Sequence, residues 1–244
     1  GERVFYKQLE SFYEKGTRDI PYSIHLDKDN NIYLIGSSTK EYQNTFITKF
    51  DASGEIIWTY KHHKENTEFS GVQVGKVDSD GNTYLIASHN GNGNDLVVVS
   101  PEGELVRHIT LNNIHEFNYQ YHIDIENGAI YHYYSGEIYK LNFKGEVVWS
   151  YKTLHLHNIE VASLLVNKND ECFLIGQNTA QSSYRIIKLS SSGSVVWDKH
   201  LFHNSYYSLF SKAYINKNGD IIAAYANNTA SGIGSTQIVL LNDD

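Results

Sequence analysis

The stretch TFITKFDASGEIIWTYKH, from Thr45 to His62, combines an apolar strand, a short Asp-Ala-Ser-Gly turn and a second strand rich in aromatic residues. Apolar runs on both sides of a turn cluster are typical of a β-hairpin. The same phrase recurs three times, and a further copy is divided between the two ends of the sequence. These copies are Asp95–Thr110, Glu137–Lys152, Tyr184–His200, and the halves Thr236–Asp244 and Gly1–Leu9.

A second hairpin phrase lies between successive copies of the first. In IHLDKDNNIYLIGSS, from Ile24 to Ser38, an apolar alternation leads into a cluster of Asp and Asn and then into a second apolar run. Asn and Gly tolerate the positive φ that hairpin turns need. The five copies are Ile24–Ser38, Gly75–His89, His122–Tyr134, Leu164–Asn178 and Ala213–Asn227.

The spacing of the repeat predicts the fold. A four-stranded unit with a period of about 40–50 residues is typical of a β-propeller blade. We therefore expect an all-β fold, a single five-bladed β-propeller domain over residues 1–244 with four-stranded antiparallel blades. Pairing of the N-terminal strand Gly1–Leu9 with the C-terminal blade would close the ring, because an open ring leaves unsatisfied strand edges. The turn glycines recur every 42 to 53 residues, at Gly1, Gly54, Gly103, Gly145 and Gly193.

Composition excludes some classes of function. The net charge of −8 argues against non-specific binding to nucleic acid, which needs a basic surface. No apolar run approaches the ~20 residues of a membrane span. The single cysteine, Cys172, lies in an apolar strand phrase, where we expect a small buried hydrophobe. The sequence begins at Gly1 and contains no Met, as expected of a processed chain.

The two phrases resemble bacterial β-propeller repeats that carry D-x-x-G-N-x-Y-x-x-G followed by K-x-x-x-x-G-x-x-x-W, and the wider quinoprotein-like repeats. The resemblance covers the whole chain, and it implies that each Trp docks one blade against its neighbour. It also implies export and a binding or scaffolding role, and it carries over no cofactor. Arg107 and Phe5 take the Trp position in two copies. The matching residues are Asp27, Asn31, Tyr33, Gly36, Lys49, Asp51, Gly54, Trp58, Lys140, Gly145, Trp149, Lys188, Gly193 and Trp197.

The segments that join the outer strand of one blade to the inner strand of the next are rich in His, Tyr, Phe and Asn. In a propeller these connections gather on one rim, and loops on a rigid scaffold often bind ligands. Aromatic faces with amide and imidazole donors suit a sugar or a peptide. Alternatively, the same side chains fill a narrow central channel. The predicted ligand-binding residues are Tyr13, His63, His115, Phe117, Tyr119, His155, His157, Tyr206 and Tyr207.

These observations favour a non-enzymatic binding module, extracellular or periplasmic and monomeric, that binds a glycan or a protein partner on this rim. One alternative is a carbohydrate-active hydrolase with two opposed carboxylates. Another is a structural scaffold without a small ligand. The chain has no G-x-S-x-G and no H-E-x-x-H. The carboxylates available to a hydrolase on the rim are Glu14, Asp19, Glu68, Glu116 and Glu160.

Two patterns bear on metal binding, although the prediction assigns no metal ligand and no cofactor. The turn Asp78–Asn82, DSDGN, resembles the start of a calcium loop but lacks the Glu at the twelfth position, which favours a hairpin turn capped by side chains. Adjacent histidines on a strand, such as His62 and His63, point to opposite faces. A histidine site would therefore need residues from different blades, for example His115, His157 and His203.

Overall fold

The computed structural model describes most of the chain. Its strands are antiparallel throughout. No helix among the described residues is long and apolar enough to cross a membrane. The described residues are 18–39, 43–62, 69–89, 93–111, 120–153, 159–178, 183–202, 207–216, 218–228 and 234–242.

Nineteen strands are present in this part of the chain. They are β1 (Arg18–Leu26), β2 (Ile32–Thr39), β3 (Gln43–Phe50), β4 (Ile56–His62), β5 (Phe69–Val77), β6 (Thr83–His89), β7 (Gly93–Val99), β8 (Leu105–Leu111), β9 (Gln120–Asp124), β10 (Ala129–Tyr134), β11 (Glu137–Asn142), β12 (Val147–Lys152), β13 (Ile159–Val166), β14 (Cys172–Asn178), β15 (Ser183–Leu189), β16 (Val195–Phe202), β17 (Tyr207–Ile215), β18 (Ile221–Asn228) and β19 (Gly234–Leu241).

The strands form two compact units. Unit one comprises residues 1–118 and the turn 143–145, and unit two comprises residues 119–142 and 146–244. Unit one holds eight strands in two groups of four. We call β1–β4 the first sheet and β5–β8 the second sheet, and the pair Gln43 and Phe69 joins the two. Unit two holds the four-stranded sheets β9–β12 and β13–β16 and the three described strands β17–β19. The four-stranded antiparallel sheets predicted from the repeat are thus confirmed.

The inner turns, which join the first two strands of a sheet, are capped by a side chain. Asp78 Oδ1 accepts hydrogen bonds from the backbone N–H of Asp80 at 3.0 Å and of Asn82 at 2.8 Å. The Asn82 amide donates to Asp78 Oδ2 at 2.9 Å. Gly81 has a φ of 91°, in the left-handed region that glycine adopts without strain. The prediction of a capped turn at Asp78–Asn82 is therefore confirmed.

Buried side chains pack between neighbouring sheets of the same unit. In unit one, Tyr33, Ile35 and Ile47 of the first sheet pack against Val72 and Leu85 of the second. In unit two, one cluster joins β9–β12 to β13–β16 and another joins β13–β16 to β17–β19. Cys172 is fully buried in the first of these two clusters, as the sequence predicts.

The repeated Trp connects each sheet to the outer turn of the next. Trp58 Nε1 donates to the Pro101 carbonyl at 2.8 Å, and Trp149 Nε1 donates to the Ser191 carbonyl at 2.8 Å. A Cβ at Gly103 would lie 2.8 Å from the Trp58 ring, and Gly103 also has a φ of 89°. Glycine is therefore required there both for the close approach and for the backbone conformation. Trp58 and Trp149 thus take the docking role that the resemblance implies.

The copy without Trp preserves the same hydrogen bond. Arg107 occupies the Trp position in β8, and its Nη1 donates to the Phe143 carbonyl at 3.3 Å within unit one. Phe143 is the second residue of its turn, as Pro101 and Ser191 are of theirs. Arg107 thus replaces the indole N–H with a guanidinium N–H, and the departure from the motif is explained.

Candidate functional site

The predicted ligand-binding residues fall almost entirely outside the described part of the chain. Tyr207 is the exception, as the first residue of β17, where it pairs with Asn228. Among the hydrolase carboxylates, Asp19 lies in β1 and Glu160 is exposed in β13. The residues outside the described ranges are Tyr13, His63, His115, Phe117, Tyr119, His155, His157, Tyr206, Glu14, Glu68 and Glu116, together with His203.

In both sheets of unit one, the register places the tight turns at one end. At the other end the strands lead into the connections, such as residues 40–42, 63–68 and 90–92 in unit one. We call this the connection end of a sheet. His62 is the last residue of β4 and therefore lies at the connection end of the first sheet. It directly precedes His63, one of the predicted ligand-binding residues.

His62 belongs to a cluster with Asp95 of β7 and His108 of β8, which we call the His–Asp–His cluster. His108 Nε2 lies 2.9 Å from Asp95 Oδ2, and His62 Nε2 lies 3.9 Å from the same oxygen. The two imidazole rings have centroids 5.2 Å apart and planes at 77°. All three residues belong to unit one, and they come from both of its sheets. Two imidazoles therefore converge on one carboxylate.

Burial makes this carboxylate unusual. Every residue of β7, GNDLVVV, is buried, because β7 is an interior strand of its sheet. The Asp95 side chain is 0% exposed and that of His62 is 5% exposed, whereas that of His108 is 33% exposed. A charged group in such a position is costly unless it is paired or hydrogen-bonded. Two of the three side chains, those of His62 and Asp95, are thus closed to solvent, and solvent reaches the cluster at His108.

The electrostatics of the cluster favour an ionised carboxylate. Burial alone would raise the pKa of Asp95. Polar contacts with the side chains of His62, His108 and Thr110 outweigh burial and hold the pKa of Asp95 well below its usual value. A second contact orients His62, because the Tyr60 hydroxyl lies 3.3 Å from His62 Nδ1. This arrangement aims Nε2 at Asp95 and provides oxygen and nitrogen donors around one point.

The sequence analysis considered His62 only as the neighbour of His63 and did not find its partners. A signal was present in the repeat. Asp95 pairs with Thr110 as Arg185 pairs with His200, so Asp95 and Arg185 occupy equivalent positions. Arg185 forms a partly buried ion pair with Asp198, which is the equivalent of His108. A polar pair at this position in two sheets indicates a site where the repeat places charge inside the protein.

Comparisons with known proteins show the fold. No protein-family model and no curated protein sequence matches the chain. A protein of unknown function from Bacteroides caccae has a similar structure, with a TM-score of 0.59 and 16% identity over 94% of this chain and 79% of that one. The WD40 domain of Neurospora crassa Pan2 has a TM-score of 0.56 and 10% identity over 91% of this chain and 62% of that one.

A third similar structure is BBS1N in complex with ARL6DN, with a TM-score of 0.52 and 12% identity over 92% of this chain and 64% of that one. This chain therefore spans less than two thirds of the length of the Pan2 and BBS1N chains. Similarity at these identities is informative about fold alone. The four-stranded antiparallel sheets and these neighbours together show that the chain has an all-β, β-propeller-like fold.

Proposed function

We propose that the protein is a non-enzymatic, protein-binding β-propeller whose partner docks at the connection ends of the sheets. The proposal rests on the structural role of the residues that recur from repeat to repeat. The Tyr, Lys and Trp of the motif pack one sheet against the next, as at Tyr33, Lys49 and Trp58. The motif is therefore structural. The repeats differ from one another in their connections. This difference favours one asymmetric binding site over an equal site on every blade.

The neighbours support a protein partner rather than a small ligand. One of them was crystallised in a complex, BBS1N with ARL6DN, and another is a WD40 domain. The acidic net charge of −8 suits a protein surface with basic groups better than a nucleic acid. Export of a monomeric protein to the periplasm or the cell exterior is part of the same proposal. A glycan remains the competing ligand, and the test below separates the two.

Alanine at both Tyr206 and Tyr207 should abolish capture of the partner, because aromatic residues dominate the energetics of interfaces. The measurement is a pull-down from the source extract beside a glycan array, with circular dichroism to verify folding. A second double variant, Phe117→Ala with Tyr119→Ala, tests another connection.

The matched control is Tyr214→Ala, since Tyr214 is 62% exposed and lies toward the turn end of the same strand as Tyr207. Capture should survive this change. Unchanged affinity in both double variants would contradict the proposed surface. A glycan hit that both variants lose would assign the surface to a sugar instead of a protein.

We further propose five blades, with the N-terminal strand Gly1–Leu9 completing the last one. The last sheet has three strands among the described residues, whereas the others have four. Trp197 Nε1 is buried and has no hydrogen-bond partner among the described residues, although Trp58, Arg107 and Trp149 each donate to an outer turn. A turn formed by residues 242–244 and Gly1 would supply the missing carbonyl by the same pattern.

Hydrogen exchange tests this closure. If the N-terminal strand pairs with β19, the backbone amides of Gly234–Leu241 that face away from β18 should exchange slowly in the full chain. Deleting residues 1–9 should accelerate their exchange by roughly 100-fold or more, because paired amides exchange only on opening. Peptides from β10 serve as the internal control. Equal exchange of β19 in both proteins would contradict the closure.

A further inference from the structure

We propose that the His–Asp–His cluster binds a divalent transition metal ion of the zinc class. Each of its three residues offers one ligand atom, and these atoms all lie within 4.8 Å of one another. The ligands come from three strands, β4, β7 and β8, so their convergence depends on the packing of one sheet against the other. This site lies at the connection end of the first sheet, and none of its three residues is among the predicted ligand-binding residues.

The spacing of the donors fits a small ion. Zinc bonds to imidazole nitrogen and carboxylate oxygen are about 2.0–2.2 Å long, so tetrahedral donors lie roughly 3.3 Å apart. The two distances from Asp95 Oδ2, 2.9 Å to His108 Nε2 and 3.9 Å to His62 Nε2, lie on either side of this value. The two imidazole nitrogens lie within 4.8 Å of each other. Side-chain shifts on the order of 1 Å would bring all three donor atoms to tetrahedral spacing.

The donor types select the class of metal. Two imidazoles and one carboxylate suit zinc, copper or nickel, whereas calcium and magnesium prefer sites built from oxygen. Tyr60 adds the outer contact expected at such a site, since its hydroxyl lies 3.3 Å from His62 Nδ1, the ring nitrogen opposite the proposed ligand atom. Three protein ligands leave a fourth position for water or for a donor from outside the chain.

The equivalent position in unit two provides a built-in comparison. There Arg185 pairs with Asp198, and a guanidinium always carries its own positive charge and donates without accepting. That pair is complete without an ion. In unit one the buried carboxylate faces imidazoles, which are metal ligands in their neutral form. The exposure of His108 gives an ion a path into the cluster.

Binding would link β4 of the first sheet to β7 and β8 of the second. We therefore expect EDTA-treated, tag-free protein to take up one equivalent of Zn²⁺ by isothermal titration calorimetry, and to unfold at a higher temperature when Zn²⁺ is present. Co²⁺ should produce visible absorption bands as it binds. His108→Ala should weaken Zn²⁺ binding by at least about 100-fold, because loss of a ligand exceeds the 10–100-fold cost of losing an outer contact.

The control variant is His200→Ala, since His200 is exposed on β16 and outside the cluster. It should retain the affinity, the stoichiometry and the cobalt spectrum of the unmodified protein. Asp95→Asn provides a second ligand variant with nearly unchanged shape. Because His108 is partly exposed, the His108→Ala variant should fold, and its unfolding curve without metal verifies this. The proposal is overturned if Zn²⁺ neither binds nor raises the unfolding temperature, or if His108→Ala binds as tightly as His200→Ala does.

Discussion

Replacing Asp170 with alanine is expected to lower the free energy of unfolding by about 3 kcal/mol or more, because it breaks a largely buried ion pair. Asp170 lies in the inner turn between β13 and β14, and its carboxylate pairs with Lys140 of β11. The Tyr131 hydroxyl also donates to it. Without the carboxylate, the Lys140 ammonium would remain inside the protein without this acceptor, and the Tyr131 hydroxyl would keep only the backbone carbonyl of residue 170, at 3.2 Å.

The cost is high because the surrounding groups cannot reach water easily. The Lys140 side chain is 10% exposed and its ammonium lies 5.6 Å from the centre of the Tyr131 ring. Tyr131 packs edge-on against Trp149, with ring centroids 5.9 Å apart. The Asp170 backbone has a φ of 64°, a conformation that Asp and Asn tolerate better than Ala. Alanine would therefore lose the ion pair and add backbone strain.

Urea denaturation at neutral pH measures the effect. Asp170→Asn separates its two causes, because it keeps an oxygen acceptor and the tolerance of positive φ while it removes the charge. We expect it to cost less than alanine. Asp80→Ala is the surface control, since Asp80 pairs with Lys28 where both side chains are more than half exposed, and such pairs contribute about 0–1 kcal/mol. Equal losses for Asp170→Ala and Asp80→Ala would contradict the argument.

A related network in unit one contains the same Tyr and Lys of the motif, but their carboxylate comes from a different turn. Tyr33 donates to Asp27 at 3.2 Å, and the Lys49 ammonium lies 3.7 Å from the same carboxylate. Asp27 comes from the same sheet as Tyr33, whereas Asp170 comes from the sheet after Tyr131. The Tyr and Lys of the motif thus need a carboxylate, and either of two turns can supply it. The motif predicts the Tyr and the Lys but not which turn provides their partner.

The strands and turns could be predicted from the sequence, whereas the contacts between sheets could not. Strands and turns were predictable because their causes are local: apolar residues on both sides of a turn cluster, and Asp or Gly at a fixed position of each turn. The His–Asp–His cluster was not, because His62 meets Asp95 only where one sheet packs on the next. Position along the chain does not encode that contact. The predicted binding residues on the connections remain predictions, since almost all lie outside the described ranges.

His132 is the second residue for which we expect a large effect. It lies in β10 and is 0% exposed, stacked on Tyr121 with ring centroids 4.6 Å apart. Tyr134 and Tyr139 lie farther away, with ring centroids at 6.4 and 6.3 Å. Burial among these rings penalises the charged imidazolium and lowers the pKa of His132 to about 3. The folded protein therefore holds a neutral imidazole at every pH at which it is expected to work.

The consequence is a stability that falls as the solution becomes acidic. Between pH 6.5 and pH 3 the unfolded chain binds a proton at His132 that the folded protein does not, so the free energy of unfolding decreases as pH falls through the unfolded pKa of about 6.5. Each pH unit costs at most about 1.4 kcal/mol, and from pH 6 to pH 4 the loss reaches roughly 2.5 kcal/mol. Above pH 7 the residue contributes no pH dependence.

His132→Phe should remove this part of the pH dependence, because phenylalanine keeps an aromatic ring among the tyrosines and has no proton to bind. Urea denaturation at several pH values is the measurement, and the slope of stability against pH between 4 and 6 should become shallower than in the unmodified protein. His200→Phe replaces an exposed histidine on β16 and should leave the slope unchanged. If His132→Phe lowers stability equally at pH 4 and pH 7, packing alone is responsible. If instead the two proteins differ at pH 7 and converge toward pH 4, the buried imidazole is what makes the fold sensitive to acid.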